Sequence, residues 1–243
     1  MVMNYKEAGQ HHADQYGEGV RRVNAFVDSL AREEILPERF PETQPKKTAG
    51  KLEIPIVNEG LYNKTREALE KQGLSFIVAI APESIGQLAA RTETGSFFGY
   101  INSSRQMRSN VPPQIELAID PNNFRIANSN NLPTDVQFEW IKGEETILKG
   151  KLPADVRNVI SLLRPKHASI LAQLDFGHQK RTGKVLFTDW FGRTDDQTVP
   201  GYVARVGRSH PTLRLGVGDW SRGSGGGDVF AVSAVVLPRK LAV

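Results

Sequence analysis

The residues Leu213–Leu237 read LRLGVGDWSRGSGGGDVFAVSAVVL. Both apolar ends, Leu213–Val217 and Val229–Leu237, are rich in residues that suit a pleated, half-buried surface, so each predicts a β-strand. The centre holds six glycines counted from Gly216, together with serine, aspartate, arginine and one tryptophan. Because this centre has little apolar side chain to bury, we expect an exposed loop between two rigid strands, where binding residues are usually found.

The sequence before this stretch changes from a helical to a strand-like period. Apolar residues recur at helical spacing over about 134–149, 153–164 and 167–181. Lys184–Trp190 (KVLFTDW) and Tyr202–Val206 (YVARV) are then strand candidates, joined by turn-rich loops. Helices followed by an antiparallel strand meander predict an α+β fold.

The first of these helices carries an N-terminal signal. Gln137 follows Thr134 by three residues, which predicts a capping box. We expect this helix to bury Val136, Trp140 and Ile147. The third helix is predicted to bury one face, formed by Ile170, Leu171, Leu174 and His178. Gly183 is predicted to cap its C-terminal end.

The N-terminal half alternates short helices and strands. The predicted helices cover about 15–36, 61–72 and 83–90, and a proline-containing linker covers about 37–50. The predicted strands are Lys51–Val57, Ser75–Ala81, Phe97–Ile101 and Ile115–Ile119. The aromatic side chains of Phe97, Phe98 and Tyr100 either pack in the core or stack on a ligand.

Composition excludes several classes of protein. The 31 lysines and arginines are interleaved with 27 acidic residues for a net charge of +4, which argues against a nucleic-acid-binding face. No run of 18 apolar residues predicts a membrane span, and the absence of cysteine excludes disulfides and thiol chemistry. The first residues lack the apolar core of a signal peptide, so we expect a cytoplasmic protein, unless another route displays it at a surface.

The glycine-rich centre does not match a phosphate-binding loop. A P-loop continues into a lysine, a serine or threonine and a helix, whereas this run leads into Asp228 and a strand. No catalytic motif orders the acidic and histidine side chains, namely Asp189, Asp195, Asp196, Asp219, Asp228, His167, His178 and His210. The sequence therefore predicts no enzyme, no cofactor and no metal.

Trp190 and Trp220 each end a predicted strand beside small polar residues. A tryptophan in that place either walls a shallow pocket, with its N–H turned outward, or anchors the core at the end of the sheet. The two interpretations are compatible, and the sequence leaves both open.

Several segments together resemble a known family. They are GDWSRG at 218–223, DVFAV at 228–232, VVLPRK at 235–240, and the longer segments Leu174–Thr194 and Val199–Arg208. In these segments the chain is similar to the variable target proteins of diversity-generating retroelements. The C-terminal half of those proteins has the C-type-lectin fold that formylglycine-generating enzymes share.

The resemblance implies a C-type-lectin-like domain over 113–243, preceded by a mainly helical α/β region over 1–112. It also implies a ligand-binding protein whose variable region, about 208–228, is rewritten by adenine-directed mutagenesis. Asparagine codons changed at their adenines yield glycine, serine, aspartate or arginine but never tryptophan, so Trp190 and Trp220 are expected to be scaffold. The expected variable, ligand-binding residues are His210, Arg214, Gly216, Gly218, Asp219, Ser221, Arg222, Ser224, Gly225 and Gly226.

The partner implied is a protein or a small ligand bound through the variable loop. Because the loop has many glycines and few large aromatic residues, we expect this variant to bind weakly or to bind something small. Two alternatives stay open at this point. One is an enzyme on a formylglycine-generating-like fold, against which the absence of cysteine argues. The other is a phage or structural component with a flexible turn.

Overall fold

The computed structural model describes residues 53–208, 210 and 213–241, which belong to one compact unit. The predicted helix at 15–36 and linker at 37–50 lie outside the described residues. The helices are α1 Glu59–Glu70, α2 Ile85–Ala90, α3 Thr92–Gly95, α4 Arg105–Ser109, α5 Thr134–Gly150, α6 Ala154–Arg157 and α7 Ala168–Thr182. The strands are β1 Ile56–Val57, β2 Phe76–Ile80, β3 Phe98–Ile101, β4 Ile115–Ile119, β5 Ser161–Leu162, β6 Phe191–Val199, β7 Tyr202–Gly207, β8 Leu215–Ser221, β9 Val229–Phe230, β10 Val235–Val236 and β11 Arg239–Lys240. The α+β class predicted from the sequence is confirmed.

Three sheets form within the described residues. The largest has the strand order β3-β8-β7-β6-β9, the second has the order β2-β4-β10-β5, and β1 pairs with β11. Strands from both sides of residue 113 share the two larger sheets, since β2 pairs with β4 and β3 pairs with β8. The predicted boundary after residue 112 therefore falls inside the compact unit.

The antiparallel meander is formed by β6, β7 and β8. The predicted strand Lys184–Trp190 is wrong, because this segment is irregular and buries Leu186, Phe187 and Trp190 as core side chains. Strand β6 begins immediately after it and runs through residues predicted to be a turn. The strand was not predicted, because its polar residues are typical of a turn. In the structure Thr194, Asp196 and other polar side chains of β6 are buried.

The predicted strand Val229–Leu237 is divided between two sheets. Its first part, β9, runs parallel to β6 in the largest sheet. Its second part, β10, lies between β4 and β5 in the second sheet. The continuous apolar run reflects burial of both segments and not a single long strand.

Helix α5 begins where predicted, but its capping box is wrong. Thr134 forms no cap hydrogen bond, and its Oγ1 accepts instead from Arg193 at 3.1 Å. The Gln137 amide donates to the carbonyls of Ser129 (2.7 Å) and Val229 (2.8 Å). The predicted buried face is also displaced: Phe138 is buried, whereas Val136 and Ile147 are 38% and 55% exposed. The next helix, α6, is only one turn long and leads into β5, so the predicted helix over 153–164 is mostly wrong.

Helix α7 matches its prediction closely. All four residues predicted on its inward face are buried, and Gly183 closes it in the left-handed conformation at φ 72°. The helix packs on the inner faces of both larger sheets through the same core, and Trp190 lies beside Phe187, Phe124 and Phe230 with ring centroids 4.7–6.0 Å away.

A buried ion pair joins α7 to the end of β7. The Arg208 guanidinium lies 2.6 Å from the Asp175 carboxylate, and both side chains are almost completely buried. Arg208 Nε also donates to the carbonyl of Leu213 at 2.8 Å, and Asp175 accepts from the backbone N–H of Leu186 at 2.8 Å. The pair and its hydrogen bonds therefore join α7 to Arg208 and Leu213.

Breaking this pair is expected to destabilise the fold strongly. Asp175→Ala leaves the Arg208 guanidinium buried without its carboxylate, so we expect a loss of about 3–5 kcal/mol in the free energy of unfolding. Urea denaturation followed by circular dichroism measures it. The control is Glu139→Ala, which removes an exposed pair with Lys142 and should cost under about 1 kcal/mol. Similar losses in both variants would contradict the expectation.

Asp196 of β6 caps helix α7 from another element. Its carboxylate accepts from the backbone N–H of Ala168, the first residue of the helix, at 3.0 Å, and from the Asn110 amide at 2.5 Å. Burial raises the pKa of this carboxyl from 3.8 to about 6, against the opposing effect of the two hydrogen bonds. The protonated form is therefore favoured in the folded protein relative to the unfolded chain.

This raised pKa predicts a pH dependence with a definite sign. The contribution of Asp196 to stability is fully present below about pH 4 and is lost as pH rises through about 6. We expect the stability of the wild type, measured relative to Asp196→Asn, to fall by about 2–3 kcal/mol between pH 4 and pH 7.5. Urea titrations of both proteins across that range test this. A difference that stays constant or grows with pH would show that burial does not control this group.

Candidate functional site

The outward face of β8 carries the predicted row of small and polar residues. Leu215 and Val217 are fully buried in the core, while Gly216 and Gly218 are half-buried on the opposite face. Arg214, directly before the strand, is exposed. The alternation predicted for these residues is therefore confirmed. The prediction is wrong for Leu213, which is 52% exposed because it precedes the strand.

An open groove with a volume of about 540 Å³ follows this face. Its size is within the range of small-ligand sites. Four of the predicted ligand-binding residues line it, namely Arg214, Gly216, Gly218 and Asp219. The neighbouring strands supply further lining, chiefly Tyr100 from β3, Phe191 from β6 and Arg205 from β7. The lining is mainly apolar with charged groups among it.

The groove exists because two positions of β8 lack side chains. A Cβ at Gly216 would lie 3.5 Å from the carbonyl oxygen of Gly207 and 3.9 Å from the Phe191 ring. A Cβ at Gly218 would lie 3.6 Å from Arg205 Nε. These are ordinary van der Waals distances, so a Cβ fits at both positions without moving the sheet.

Arg205 forms one wall of the groove between two aromatic rings. Its guanidinium carbon lies 4.3 Å from the centroid of Phe191 and 4.5 Å from that of Trp220. The Nη1 nitrogen of Arg205 lies 3.6 Å from the Asp228 carboxylate. Burial lowers the pKa of Arg205, although Asp228 and Asp219 act in the opposite direction. The two rings and the two carboxylates hold the guanidinium in place.

The glycine-rich loop after β8 is held by the rest of the protein. The carbonyl of Gly226 accepts from the N–H of Asn131, the carbonyl of Gly227 from the Asn130 amide, and the carbonyl of Arg222 from the N–H of Thr134, at 2.9–3.1 Å. Gly226 is buried against the Trp220 ring. The segment before α5 therefore buries Gly226, whereas Gly223, Ser224 and Gly227 are exposed, as predicted for the loop.

Arg193 of β6 binds the same loop through a hydrogen bond. Its side chain is fully buried, and it donates to the carbonyls of Ser224 (2.9 Å) and Leu132 (3.0 Å) and to Thr134 Oγ1 (3.1 Å). Burial, and secondarily the nearby Arg205, lowers the pKa of Arg193 to about 10. Arg193 thus joins the loop, the start of α5 and the largest sheet at one point.

Arg222 belongs to a network of charges beside the loop. Its guanidinium lies 2.6 Å from the Asp195 carboxylate and 2.8 Å from that of Asp135. Arg164 reaches the same Asp195 at 3.3 Å. The side chain predicted to contact a ligand therefore makes two ion pairs within the protein.

The predicted ligand-binding residues thus fall into two groups. Arg214, Gly216, Gly218 and Asp219 meet in the groove, and His210 is exposed. Ser221, Arg222, Ser224, Gly225 and Gly226 lie outside its lining. Phe191 and Arg205 were not predicted to line the site, and Phe191 begins a strand whose residues are typical of a turn. The alternation of YVARV carries a signal for Arg205, since its neighbours Ala204 and Val206 are both core residues.

The acidic and histidine side chains considered for catalysis do not converge. Asp196 caps a helix and Asp195 lies in the charge network, whereas the Nδ1 of His178 lies 2.7 Å from the carbonyl of Lys184. Asp219 and Asp228 both lie near Arg205. These contacts account for Asp195, Asp196, Asp219, Asp228 and His178 through the fold or through the groove.

Two glycines of the loop are expected to respond differently to an added methyl group. A Cβ at Gly225 would lie 2.2 Å from the Asn131 backbone, so Gly225→Ala should destabilise the protein by about 1–3 kcal/mol. Nothing lies within 4 Å of a Cβ at Gly223, and Gly223→Ala should change stability by under about 0.5 kcal/mol. Thermal unfolding of the two variants distinguishes them. Equal tolerance at both positions would show that the loop does not pack on Asn131.

Comparisons with protein-family models, with curated proteins and with solved structures found no match to this chain. Within residues 53–208, 210 and 213–241, no helix is both long enough and apolar enough to cross a membrane. The geometry of the groove and its residues therefore carries the functional argument.

Proposed function

We propose that this chain is a ligand-binding protein that displays variable residues, as the variable proteins of diversity-generating retroelements do. Residues 113–243 would supply a C-type-lectin-like platform, and the ligand, a protein or a small molecule, would contact residues of the region 208–228. The observation that carries the proposal is the division of β8 into a buried row and a row that lines a groove.

Variation requires positions at which side chains change without a cost in stability. Leu215 and Val217 are fully buried and supply the core contacts of β8, so those positions are constrained. Gly216 and Gly218 have room for side chains, and Arg214 and Asp219 are exposed. Substitutions at such sites typically change stability by under about 0.5 kcal/mol. The residues of β8 that stabilise the fold are therefore different from those that a ligand would contact.

The packing also ranks seven of the ten proposed residues. We assign the main ligand contacts to Arg214, Gly216, Gly218 and Asp219, which share the groove. Gly225 and Gly226 pack against Asn131 and Trp220, and larger residues there would displace the loop. We therefore propose that Gly225, Gly226 and the ion-paired Arg222 have a structural role beside the groove.

An enzymatic function gains no comparable support. The groove residues contain two arginines outside the Arg208 pair, one aspartate and two aromatic rings, and no histidine or serine lines the groove within the described residues. Asp219 is the carboxylate of the lining, and no histidine, serine or second carboxylate accompanies it there among the described residues. We keep the binding function as the proposal.

Sequencing independent copies of the 3′ end of the gene tests the function. We expect differences at adenine positions of the codons, clustered between about His210 and Gly226. Within that window they should concentrate on the outward residues of β8 and spare Leu215, Val217 and Trp220, because those three contact the protein itself. Identical copies, or differences spread evenly along the gene, would contradict the proposal.

A stability measurement supplies a matched test of the platform. We expect Gly216→Ser combined with Gly218→Ser to keep the melting temperature within a few degrees of the wild type, because a Cβ at either position makes only ordinary van der Waals contacts. The control replaces the adjacent Val217 by serine, which buries a hydroxyl in the core and should lower the melting temperature clearly. Equal losses would remove the basis for a variable face on β8.

A further inference from the structure

A row of four residues crosses the largest sheet at the bottom of the groove. The strand registers pair Tyr100 of β3 with Gly216 of β8, Gly216 with Gly207 of β7, and Gly207 with Phe191 of β6. All four residues line the groove, and paired residues of neighbouring strands place their side chains on the same face of a sheet. The row therefore has an aromatic side chain at each end and two glycines between them.

The two aromatic residues form walls on either side of a floor of backbone. Tyr100 is 59% exposed, so most of its ring surface is open to a ligand. The Phe191 ring reaches to 3.9 Å from the position of a Cβ at Gly216, although Gly207 lies between them in the row. No side chain rises from Gly216 itself. A flat ring therefore fits against the backbone there and contacts both walls, since aromatic rings pack favourably against one another.

Three arginines beside the groove are balanced by carboxylates. The charge of Arg208 is matched inside the fold by Asp175, at 2.6 Å. Arg205 lies directly across from the buried Arg193 on β6. Two carboxylates face this second group of cations, and they belong to Asp228 and Asp219. These groups together leave no excess of charge of either sign.

The fourth arginine, Arg214, leaves one positive charge at the groove. It is exposed, and among the described residues no carboxylate forms an ion pair with it. Its Cβ lies 3.1 Å from the position of a Cβ at Gly99, so its side chain starts beside β3, next to Tyr100. Alternate residues of a strand are about 7 Å apart. The guanidinium therefore reaches an anionic group carried by a ring that lies over Gly216.

We propose that the groove binds a small planar aromatic carboxylate of about two fused rings. The rings lie over Gly216 between Tyr100 and Phe191, and the carboxylate pairs with Arg214. One negative charge matches the one unpaired guanidinium, whereas a phosphate monoester would bring close to two. The volume of about 540 Å³ is that of a small-ligand site. This inference rests on the proposed function in placing the ligand on the outward face of β8.

Five compounds test this ligand class against the full-length protein. The matched probe is 2-naphthoate. The comparison compounds are the uncharged 2-naphthalenemethanol, the cationic 2-naphthylmethylamine, the saturated decahydro-2-naphthoate, and N-acetylglycyl-phenylalanine, which carries its ring and carboxylate as a protein C-terminus does. Amide chemical shifts measure affinity and locate the ligand through the signals of Gly216 and Gly218. We expect 2-naphthoate to bind most tightly, roughly fivefold more tightly than the alcohol, with the difference reduced at high salt.

Variants of two exposed residues separate the charge from the aromatic wall. Arg214→Glu should change the preference from 2-naphthoate to 2-naphthylmethylamine, and Arg214→Lys should keep the preference for 2-naphthoate. Tyr100→Ala should weaken 2-naphthoate and the alcohol equally, so their ratio stays constant, and Tyr100→Phe should retain the affinity of both. Arg157→Glu, at an exposed arginine of α6 outside the groove lining, is the control and should change nothing. Thermal unfolding verifies the fold of each variant.

The outcomes separate this inference from the function on which it rests. Equal affinity for 2-naphthoate and the alcohol, no binding of any probe, or a preference unchanged in Arg214→Glu would overturn the inference. Equal or tighter binding of the saturated acid or of the dipeptide would also overturn it, the latter in favour of a protein C-terminus. All of these results leave the sequencing test of variable 3′ ends unaffected. Conversely, identical gene copies together with a preference that follows Arg214 would overturn the display function and retain the aromatic acid site.

Discussion

The buried guanidinium of Arg193 is the constraint on which the surroundings of the groove depend. Burying a charge is costly unless hydrogen bonds replace its water, and the two terminal nitrogens of Arg193 donate to Leu132, Ser224 and Thr134, while Nε has no partner among the described residues. These three acceptors belong to the segment before α5, to the glycine-rich loop and to the first turn of α5. One side chain of β6 thereby fixes two irregular segments over the outer face of the largest sheet.

The fixed loop leaves part of the sheet uncovered, and the groove lies in that part. Where the loop passes, Gly225 packs on the Asn131 backbone and Gly226 on the Trp220 ring, so these glycines allow close approach. Where the loop is absent, Gly216 and Gly218 leave free space beside Phe191 and Arg205. Glycines of the same short segment thus have opposite roles, close packing at Gly225 and Gly226 and an open groove at Gly216 and Gly218.

Much of the fold was predictable because burial leaves a periodic pattern in the sequence. Helix α7 and strands β4 and β7 agree with their predictions, because the apolar residues that predicted them are buried in the core. Strand β6 was missed because its polar residues are typical of a turn. They are buried because other parts of the fold satisfy them: Asp196 caps α7, and Thr194 Oγ1 donates to the carbonyl of Ala204 at 2.8 Å. The capping box predicted from Thr134 and Gln137 did not form for a related reason. Thr134 Oγ1 accepts from Arg193, and the Gln137 amide donates to the carbonyls of Ser129 and Val229.

The amino-acid sequence by itself determined the α+β class, the inward and outward rows of β8 and the small polar character of the outward row. These properties depend on local periodicity and residue type, which neighbouring residues define. Only the tertiary structure decided which glycines pack and which leave space, and it alone brought Tyr100, Phe191 and Arg205 to the groove. Those relations join strands β3, β6 and β7 that are distant in sequence, and no local pattern encodes a distance between them.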